Sequence, residues 1–339
     1  METVLDIMTE ALRAGVGVNG AVFALAAIGL NVQFGYTGLL QFGHVAFLLL
    51  GSYAVALTMG FFVGASGLVA IAGLLLSAVI AILLACVMAL IMGGPTLKLR
   101  TDYLAIVTIA IAEILRLLTR SSLLEPLTNG VRGIQQFTDE FYALDPLELA
   151  VSFFGRSLFT PRATWIILIG WVLVLLSSLV VWRLMSSPWG RVLKSIREDE
   201  DAARALGKNV FAYKLQALAL GGGIAALAGV IRALDQSNVN PDGFLPIFTF
   251  VTYAGLIIGG AGTILGPILG PVIYWSLLQG FDAVLREGLD AGWIPETLLS
   301  SSDLSAIRFV LTGLILVLVM VFRPQGVFGN REEMVLDAN

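Results

Sequence analysis

The feature that most constrains the fold is a long stretch without Asp, Glu, Lys or Arg, residues 14–97. A helix needs about 20 apolar residues to cross the hydrocarbon core of a bilayer, so this stretch has room for several crossings. The whole chain is 58% hydrophobic and 13% charged, with a mean hydropathy of +0.90. A soluble domain has about 25% charged residues. The sequence therefore predicts an integral membrane protein.

The apolar stretches are long and do not alternate, whereas strands of a membrane β-barrel are about 10 residues of alternating pattern. Backbone polar groups in lipid must also be satisfied within their own segment. We therefore predict an all-α, polytopic membrane helix bundle with about 8–9 transmembrane helices and glycine-rich helix breaks, in a single domain covering residues 1–339. The predicted spans are Ala14–Phe34, Leu39–Phe61, Leu68–Met92, Tyr103–Thr119, Trp165–Trp182, Leu215–Ile231, two within Gly243–Phe281, and Leu304–Phe322. The first two are joined at 35–38 by either a loop or a break inside the membrane.

Loop charge predicts the sidedness of the chain, because Lys and Arg concentrate on the cytoplasmic side. Lys98 and Arg100 mark that side, and residues 183–214 form its longest polar stretch. The segment 120–162 is slightly acidic and is predicted to be external.

Within 183–214, the run from Trp189 to Leu206 has no proline and only one glycine. It predicts one charged helix, followed by Gly207 and Asn209 as a stop signal. One interpretation is a simple positively charged loop. The other is a docking helix, in which small residues such as Ala202 and Ala203 admit a partner surface and the flanking charges fix its register.

Glycine-rich breaks recur in the two halves of the chain. Transporters often place discontinuous helices at matching points of two halves, near the substrate path. Small residues also simply allow helices to pack closely in lipid. The candidate pathway residues are Gly35, Gly38, Gln41, Gly43 and His44 in the first half, and Gly259, Gly260, Gly262 and Gly266 in the second. A lone histidine such as His44 is more often hydrogen-bonded to a backbone carbonyl than a ligand.

Glu113 and Arg116 are ionisable residues inside a predicted span, spaced i,i+3 on one helix face. They mark either a functional site or a structural ion pair, and their spacing favours the pair. The chain has no GxxxxGK[ST] phosphate-binding loop, so a partner would have to hydrolyse any ATP that drives transport. One histidine and one cysteine favour neither a metal site nor a cofactor. The rival class is a self-sufficient, ion-coupled secondary transporter that uses Glu113.

Several segments resemble the M-type permeases of branched-chain amino acid ABC transporters, and together they cover nearly the whole chain. The most specific segment is SIREDEDAARALGKNVFAYKL (Ser195–Leu215), which is similar to the family's coupling loop. The others are GLNVQFGYTGLLQFGHVAFLLLGSY (Gly29–Tyr53), LKLRTDYLAIVTIAIAEILRL (Leu97–Leu117), NPDGF (Asn240–Phe244), GGAGTILGPILG (Gly259–Gly270) and FRPQGVFG (Phe322–Gly329).

This resemblance implies a non-enzymatic permease subunit in the bacterial inner membrane. Its implied partners are a second permease, two ABC ATPase subunits, an external substrate-binding protein and the lipid bilayer, with no nucleic acid. The implied substrates are leucine, isoleucine and valine, or, as in relatives, urea, short amides and other amino acids. The residues implied to couple to the ATPases are Arg197, Glu198, Asp199, Glu200, Asp201, Ala202, Ala203 and Gly207.

Overall fold

The protein folds into a bundle of helices, and the computed structural model describes residues 2–62, 64, 67–99, 101–146, 149–153, 156–290 and 304–329. The helices are α1 (Glu2–Val16), α2 (Val18–Leu30), α3 (Val45–Phe61), α4 (Leu68–Thr96), α5 (Thr101–Arg120), α6 (Glu125–Thr128), α7 (Asp139–Tyr142), α8 (Pro161–Met185), α9 (Pro188–Glu198), α10 (Glu200–Ala205), α11 (Val210–Gln236), α12 (Ile247–Gly259), α13 (Gly266–Asp290) and α14 (Leu304–Phe322). A π-helix, Asn31–Gly35, continues α2, and a 3₁₀ turn, Pro241–Gly243, precedes α12.

Within the described residues, six helical stretches are long and apolar enough to cross a membrane. They are Val4–Gly35, Leu68–Thr96, Pro161–Met185, Val210–Gln236, Pro241–Gly259 and Gly266–Leu289, and two shorter apolar helices are Val45–Phe61 and Phe309–Phe322. The all-α membrane bundle is thus confirmed. In the described part of the chain, fewer helices are long and apolar enough to cross a membrane than the 8–9 predicted. Two of the apolar helices are short, and α5, at 20 residues, carries several charges.

Helices α2 and α11 form the centre of the bundle, and small residues let them approach closely. A Cβ on Gly29 would lie 2.3 Å from the Gly221 carbonyl oxygen, so the two backbones are nearly in contact. The outer helix α4 buries a stripe of small residues that includes Gly73, Ser77, Ala81 and Ala85. Its large apolar side chains, such as Leu75, point outward. Small side chains inside the bundle and large apolar side chains on its outer surface are expected where lipid, not water, surrounds the helices.

Several helix boundaries differ from the predicted spans; α3, for example, begins at Val45 rather than Leu39, because the residues before it form the first helix break. The first helical stretch begins at Glu2 rather than Ala14, because α1 packs against α13 and Gly15 admits Ser276 of that helix. Asn209 does not stop the preceding helix. Its side chain accepts a hydrogen bond of 3.1 Å from the Ala212 backbone N–H and so caps α11, which begins at Val210 rather than Leu215.

Two small antiparallel sheets were not predicted from the sequence. Strand β1 (Ile134–Gln135) pairs with β4 (Asn238–Val239), and β2 (Val151–Phe153) pairs with β3 (Arg156–Phe159). Strands this short carry too few residues to show alternation. The β1–β4 pair ties the segment 120–162 to the end of α11.

The two ends of α5 define two ends of the bundle. Lys98, before α5, lines one cavity with Glu200, Arg204 and Lys208, so the segment 183–214 lies at the Lys98 end. Arg120, the last residue of α5, forms an ion pair of 3.1 Å with Asp242 at the other end. The loops therefore group as their charges predicted. Their assignment to the cytoplasm and the exterior stays a prediction.

Candidate coupling and transport site

The predicted charged helix is two helices, not one. Asp199 leaves the helical conformation, with φ −151° and ψ 108°, between α9 and α10. Its carboxylate Oδ1 accepts hydrogen bonds of 2.9 Å from the backbone N–H groups of Asp201 and Ala202. Aspartate favours this N-cap position because it satisfies N–H groups that a helix leaves free. The prediction of a continuous helix was therefore wrong at Asp199.

Helix α10 is held by ion pairs, and its adjacent residues Ala202 and Ala203 face different ways. Glu200 pairs with Arg204 at 2.9 Å and with Lys214 of α11. Ala203 is buried and packs with Ile196 and Val210, whereas Ala202 is exposed. Ala203 therefore positions α10 on the bundle and is not available to a partner.

Leu206 and Gly207, which follow α10 directly, extend its exposed surface. Gly207 has φ +76°, a conformation that favours glycine, and nothing lies within 4 Å of where its Cβ would be. Leu206, beside it, is 79% exposed. Sequence reasoning missed Leu206, although an apolar residue between charged ones was a visible signal.

Arg197 connects the segment 183–214 to the first helix break. Its Nη1 donates a hydrogen bond of 2.6 Å to the Gly35 carbonyl oxygen. A Cβ on Gly38, which has φ +74°, would lie 3.3 Å from the Arg197 Cγ. Arg197 also forms an ion pair of 3.4 Å with Glu198. Arg197 therefore touches the bundle interior, as does the buried Ile196 before it, whereas Glu198 after it is exposed.

The first break, which comprises the π-helix Asn31–Gly35 and residues 36–44, is mostly buried inside the bundle. Gln41 is 1% exposed, and its Nε2 lies 3.1 Å from the Met92 sulfur. Its backbone N–H and carbonyl both contact the Tyr253 hydroxyl at 3.2 Å. A Cβ on Gly43 would lie 2.2 Å from the Thr108 carbonyl oxygen. The sequence did not decide between a loop and a break inside the membrane for this stretch. Its burial identifies a break inside the bundle.

The second break, residues 260–265, joins α12 to α13, where the sequence places the turn between two spans. Gly260 and Gly262 have φ +111° and +79°. A Cβ on Gly259 would lie 1.9 Å from the Gly266 carbonyl oxygen, so the two helix ends need glycine for close approach.

Asn31 binds the two breaks together. Its Oδ1 accepts a hydrogen bond of 2.8 Å from the Gly262 N–H, and its Nδ2 donates one of 2.7 Å to the Thr263 carbonyl oxygen. Sequence reasoning did not single out Asn31. Its signal was a polar amide inside a predominantly apolar helical stretch, where an unpaired polar group would be costly.

His44 and the Glu113–Arg116 pair are placed as their structural interpretations predict. The His44 Nε2 lies 2.9 Å from the Ala26 carbonyl oxygen, and its Nδ1 lies 3.2 Å from the Gln33 Oε1. The Arg116 Nε donates to both Glu113 carboxylate oxygens, at 3.1 and 3.0 Å. Arg116 also pairs with Asp242 at 2.8 Å, a partner that the sequence did not reveal.

Comparison with known proteins finds one matching family model and several similar permeases. The model of a family described as "Branched-chain amino acid transport system / permease component" matches residues 13–322. The high-affinity branched-chain amino acid transport system permease protein LivM of Salmonella typhimurium is 32% identical over 249 residues, which are 70% of this chain and 53% of that protein. The chain therefore spans about half the length of this curated relative.

Two further similarities are weaker. The autoinducer 2 import system permease protein LsrC of Shigella flexneri is 28% identical over 174 residues, which are 49% of this chain and 45% of that protein. A solved structure, PsaBC from Streptococcus pneumoniae in complex with Fab, has 16% identity and a TM-score of 0.39 over 98% of this chain and 95% of that chain. A TM-score below 0.5 does not establish a shared fold.

Proposed function

The chain belongs to the family of branched-chain amino acid transport permease components, and from this we propose that it is the transmembrane subunit of an ATP-driven importer for a branched-chain or closely related amino acid. The single observation that best supports the mechanism is the hydrogen bond from Arg197 of α9 to Gly35 of the first break. It is a direct path from a surface segment to the interior of the bundle.

In the proposed mechanism, two ATPase subunits dock on α9 and α10 at the Lys98 end. Their closure on binding ATP moves α9, and Arg197 passes the movement to the first break. Asn31 passes it on to the second break through Gly262 and Thr263. Coupling of this kind needs a physical element with two arrangements, and two joined helix breaks are such an element.

The remaining proposed partners are a second permease and an external binding protein that delivers the amino acid at the Arg120 end. ATP hydrolysis is assigned to the partner ATPases. The rival secondary transporter has less support, because the Glu113 carboxylate is already held by Arg116 through three hydrogen bonds. An amino acid is favoured over autoinducer 2, because the similarity to LivM covers more of the chain.

Purification of the tagged chain from its native membranes in mild detergent, followed by mass spectrometry, tests the assembly. We expect a second permease and ATPase subunits to copurify, and the reconstituted complex to import leucine only with ATP. Recovery of the chain alone, with ion-driven transport intact, would refute the proposal.

Leu206→Asp tests the docking surface, because Leu206 is 79% exposed and its replacement disturbs no packing. Gly207→Trp is less informative, because φ +76° makes any side chain there strained. We expect Leu206→Asp to leave the chain in the membrane but to release the ATPases and abolish uptake. The matched control is Leu123→Asp, at a leucine that is 78% exposed near the Arg120 end. Equal ATPase recovery with both variants would exclude docking at α10.

A further inference from the structure

A cavity of about 350 Å³ lies at the Arg120 end, between α2, α11, α12, α13 and α14. Its polar lining includes Arg232, Asp242 and Trp275, and its apolar lining includes Phe23, Phe248 and Leu278. Its volume is in the range of small-molecule sites, and its mixture of apolar walls and a few polar groups is typical of them. None of the residues that the sequence predicted for the pathway lines it.

Two buried hydrogen-bond donors at this cavity lack an acceptor among the described residues. They are the Arg232 Nε and the Trp275 Nε1. The Arg232 Nη2 makes a long bond of 3.3 Å to the Gly243 carbonyl oxygen. Buried donors without acceptors are rare in native proteins because they lose their hydration without compensation. The two donors are unfilled hydrogen-bonding capacity in side chains that line the cavity, and arginine is the side chain best suited to a carboxylate.

Asp242 supplies the opposite charge at the same cavity. It pairs with Arg116 at 2.8 Å and with Arg120 at 3.1 Å, and both contacts use the Oδ1 atom. Among the described residues, both of these contacts leave the Oδ2 atom to other donors. Asp242 precedes Gly243, whose carbonyl oxygen Arg232 contacts, and the acid that acts on the charge of Arg232 is Asp235.

Most of the remaining wall is apolar, apart from Asn19, Tyr274 and Gln279. The Phe23 and Phe248 rings stack with centroids 4.2 Å apart, and the Phe23 ring lies 5.1 Å from that of Trp275. The Arg232 guanidinium lies 5.2 Å from the Phe248 ring centroid, which holds it over the aromatic face. Stacked rings offer an aliphatic side chain a preformed surface.

We propose that this cavity binds an α-amino acid with an apolar side chain: the carboxylate at Arg232 and Trp275, the ammonium at Asp242, and the side chain against Phe23, Phe248 and Leu278. This inference rests on the proposed function and adds to it a substrate site on the permease itself. It places recognition of the substrate at the Arg120 end, where a delivered amino acid would first enter, and not at the helix breaks.

The test uses the full transporter in nanodiscs, without ATP or binding protein, and measures equilibrium binding of radiolabelled L-leucine. Arg232→Gln removes the cation, and Trp275→Phe removes the N–H but keeps an aromatic ring. We expect each to weaken leucine binding about tenfold, as for loss of a hydrogen bond to a charged group. The matched controls are Trp182→Phe and Arg132→Gln, at exposed residues outside the cavity, and they should bind like wild type.

Two analogues separate the charges. 4-Methylpentanoate lacks the ammonium, and 3-methylbutylamine lacks the carboxylate. Arg232→Gln should weaken competition by 4-methylpentanoate but leave that by 3-methylbutylamine unchanged. A variant that merely loosened the fold would weaken both, so equal losses would overturn the assignment, as would wild-type leucine affinity in both cavity variants.

The outcomes distinguish this inference from the proposed function. ATP-driven leucine uptake that is unchanged in both cavity variants would leave the importer standing and remove the site. Leucine binding that depends on Arg232, in a chain that recruits no ATPase, would support the cavity site and refute the ATP-driven importer. Absence of leucine binding by the wild type would remove the site.

Discussion

Two side chains, Arg197 and Asn31, make the longest-range connections in the candidate coupling path. Arg197 reaches a residue 162 positions away, and Asn31 reaches residues 231 and 232 positions away. Each bonds to backbone atoms of a broken helix, where carbonyl and N–H groups are free from regular pairing. At the residue scale, the proposed coupling therefore depends on polar side chains that satisfy interrupted backbone inside an apolar bundle.

Replacing Arg197 with Met removes its bond to Gly35 and keeps much of the side-chain length. We expect ATP hydrolysis by the complex to persist while leucine uptake falls about tenfold, because the movement of α9 no longer reaches the first break. The readouts are ATP hydrolysis and uptake in the same proteoliposomes. Arg191→Met, at an exposed arginine on the same helix, should behave as wild type. A parallel fall in hydrolysis and uptake would indicate lost assembly instead.

Replacing Asn31 with Leu removes both bonds between the breaks. The Gly262 N–H and the Thr263 carbonyl then lose their partner, at about 1–3 kcal/mol for each group left buried and unpaired. We expect a lower Tm for the purified protein in thermal unfolding. An unchanged Tm would show that water or a rearranged loop satisfies these groups and that Asn31 does not join the breaks.

The pair α9 and α10 shows how one residue divides an element. Helix-forming residues run from Trp189 to Leu206, and propensity alone predicts one helix. Asp199 ends α9 because its carboxylate satisfies the N–H groups of a new turn. The break lets α10 lie against α11 through Ala203 and the Glu200–Lys214 pair. A continuous helix would carry those residues away from the bundle.

Asp199→Ala removes this cap, which is worth about 0.5–2 kcal/mol in other helices. We expect faster hydrogen exchange across Glu200–Ala205, about five- to thirtyfold for 1–2 kcal/mol, measured by mass spectrometry. Asp201→Ala is the control, because Asp201 is exposed and its carboxylate pairs with Arg204 rather than with a free backbone N–H. Equal exchange in the two variants would contradict the capping role.

At the scale of the whole molecule, residues 323–329 close over the second break. The Val327 N–H donates 2.9 Å to the Ile258 carbonyl oxygen, and the Phe328 N–H donates 3.0 Å to that of Gly259. Gly326 has φ +80°, and a Cβ there would lie 2.5 Å from the Gly260 backbone. Residues 323–329 therefore contact and stabilise the second break, to which Asn31 also bonds.

Gly326→Ala should destabilise the protein by about 1–2 kcal/mol from the left-handed conformation, with the contact to Gly260 adding to this. The measurement is thermal unfolding of the purified chain. Gly313→Ala is the matched control. Gly313 lies within α14 with open space around it, so alanine there should be neutral or stabilise by about 0.5–1 kcal/mol. A Tm equal to wild type for Gly326→Ala would show that 323–329 does not brace the break.

The sequence by itself determined the membrane bundle, most span positions, the location of the two glycine-rich stretches and the spacing that favours the Glu113–Arg116 pair. These follow from hydropathy, from the backbone demands of lipid and from contacts between residues near in sequence. Only the tertiary structure decided that Arg197 meets Gly35, that Asn31 joins the breaks, and that Arg232, Asp242 and Trp275 share a cavity. These contacts join residues far apart in the chain. Their partners are often backbone atoms, which every residue has, so no sequence pattern marks them.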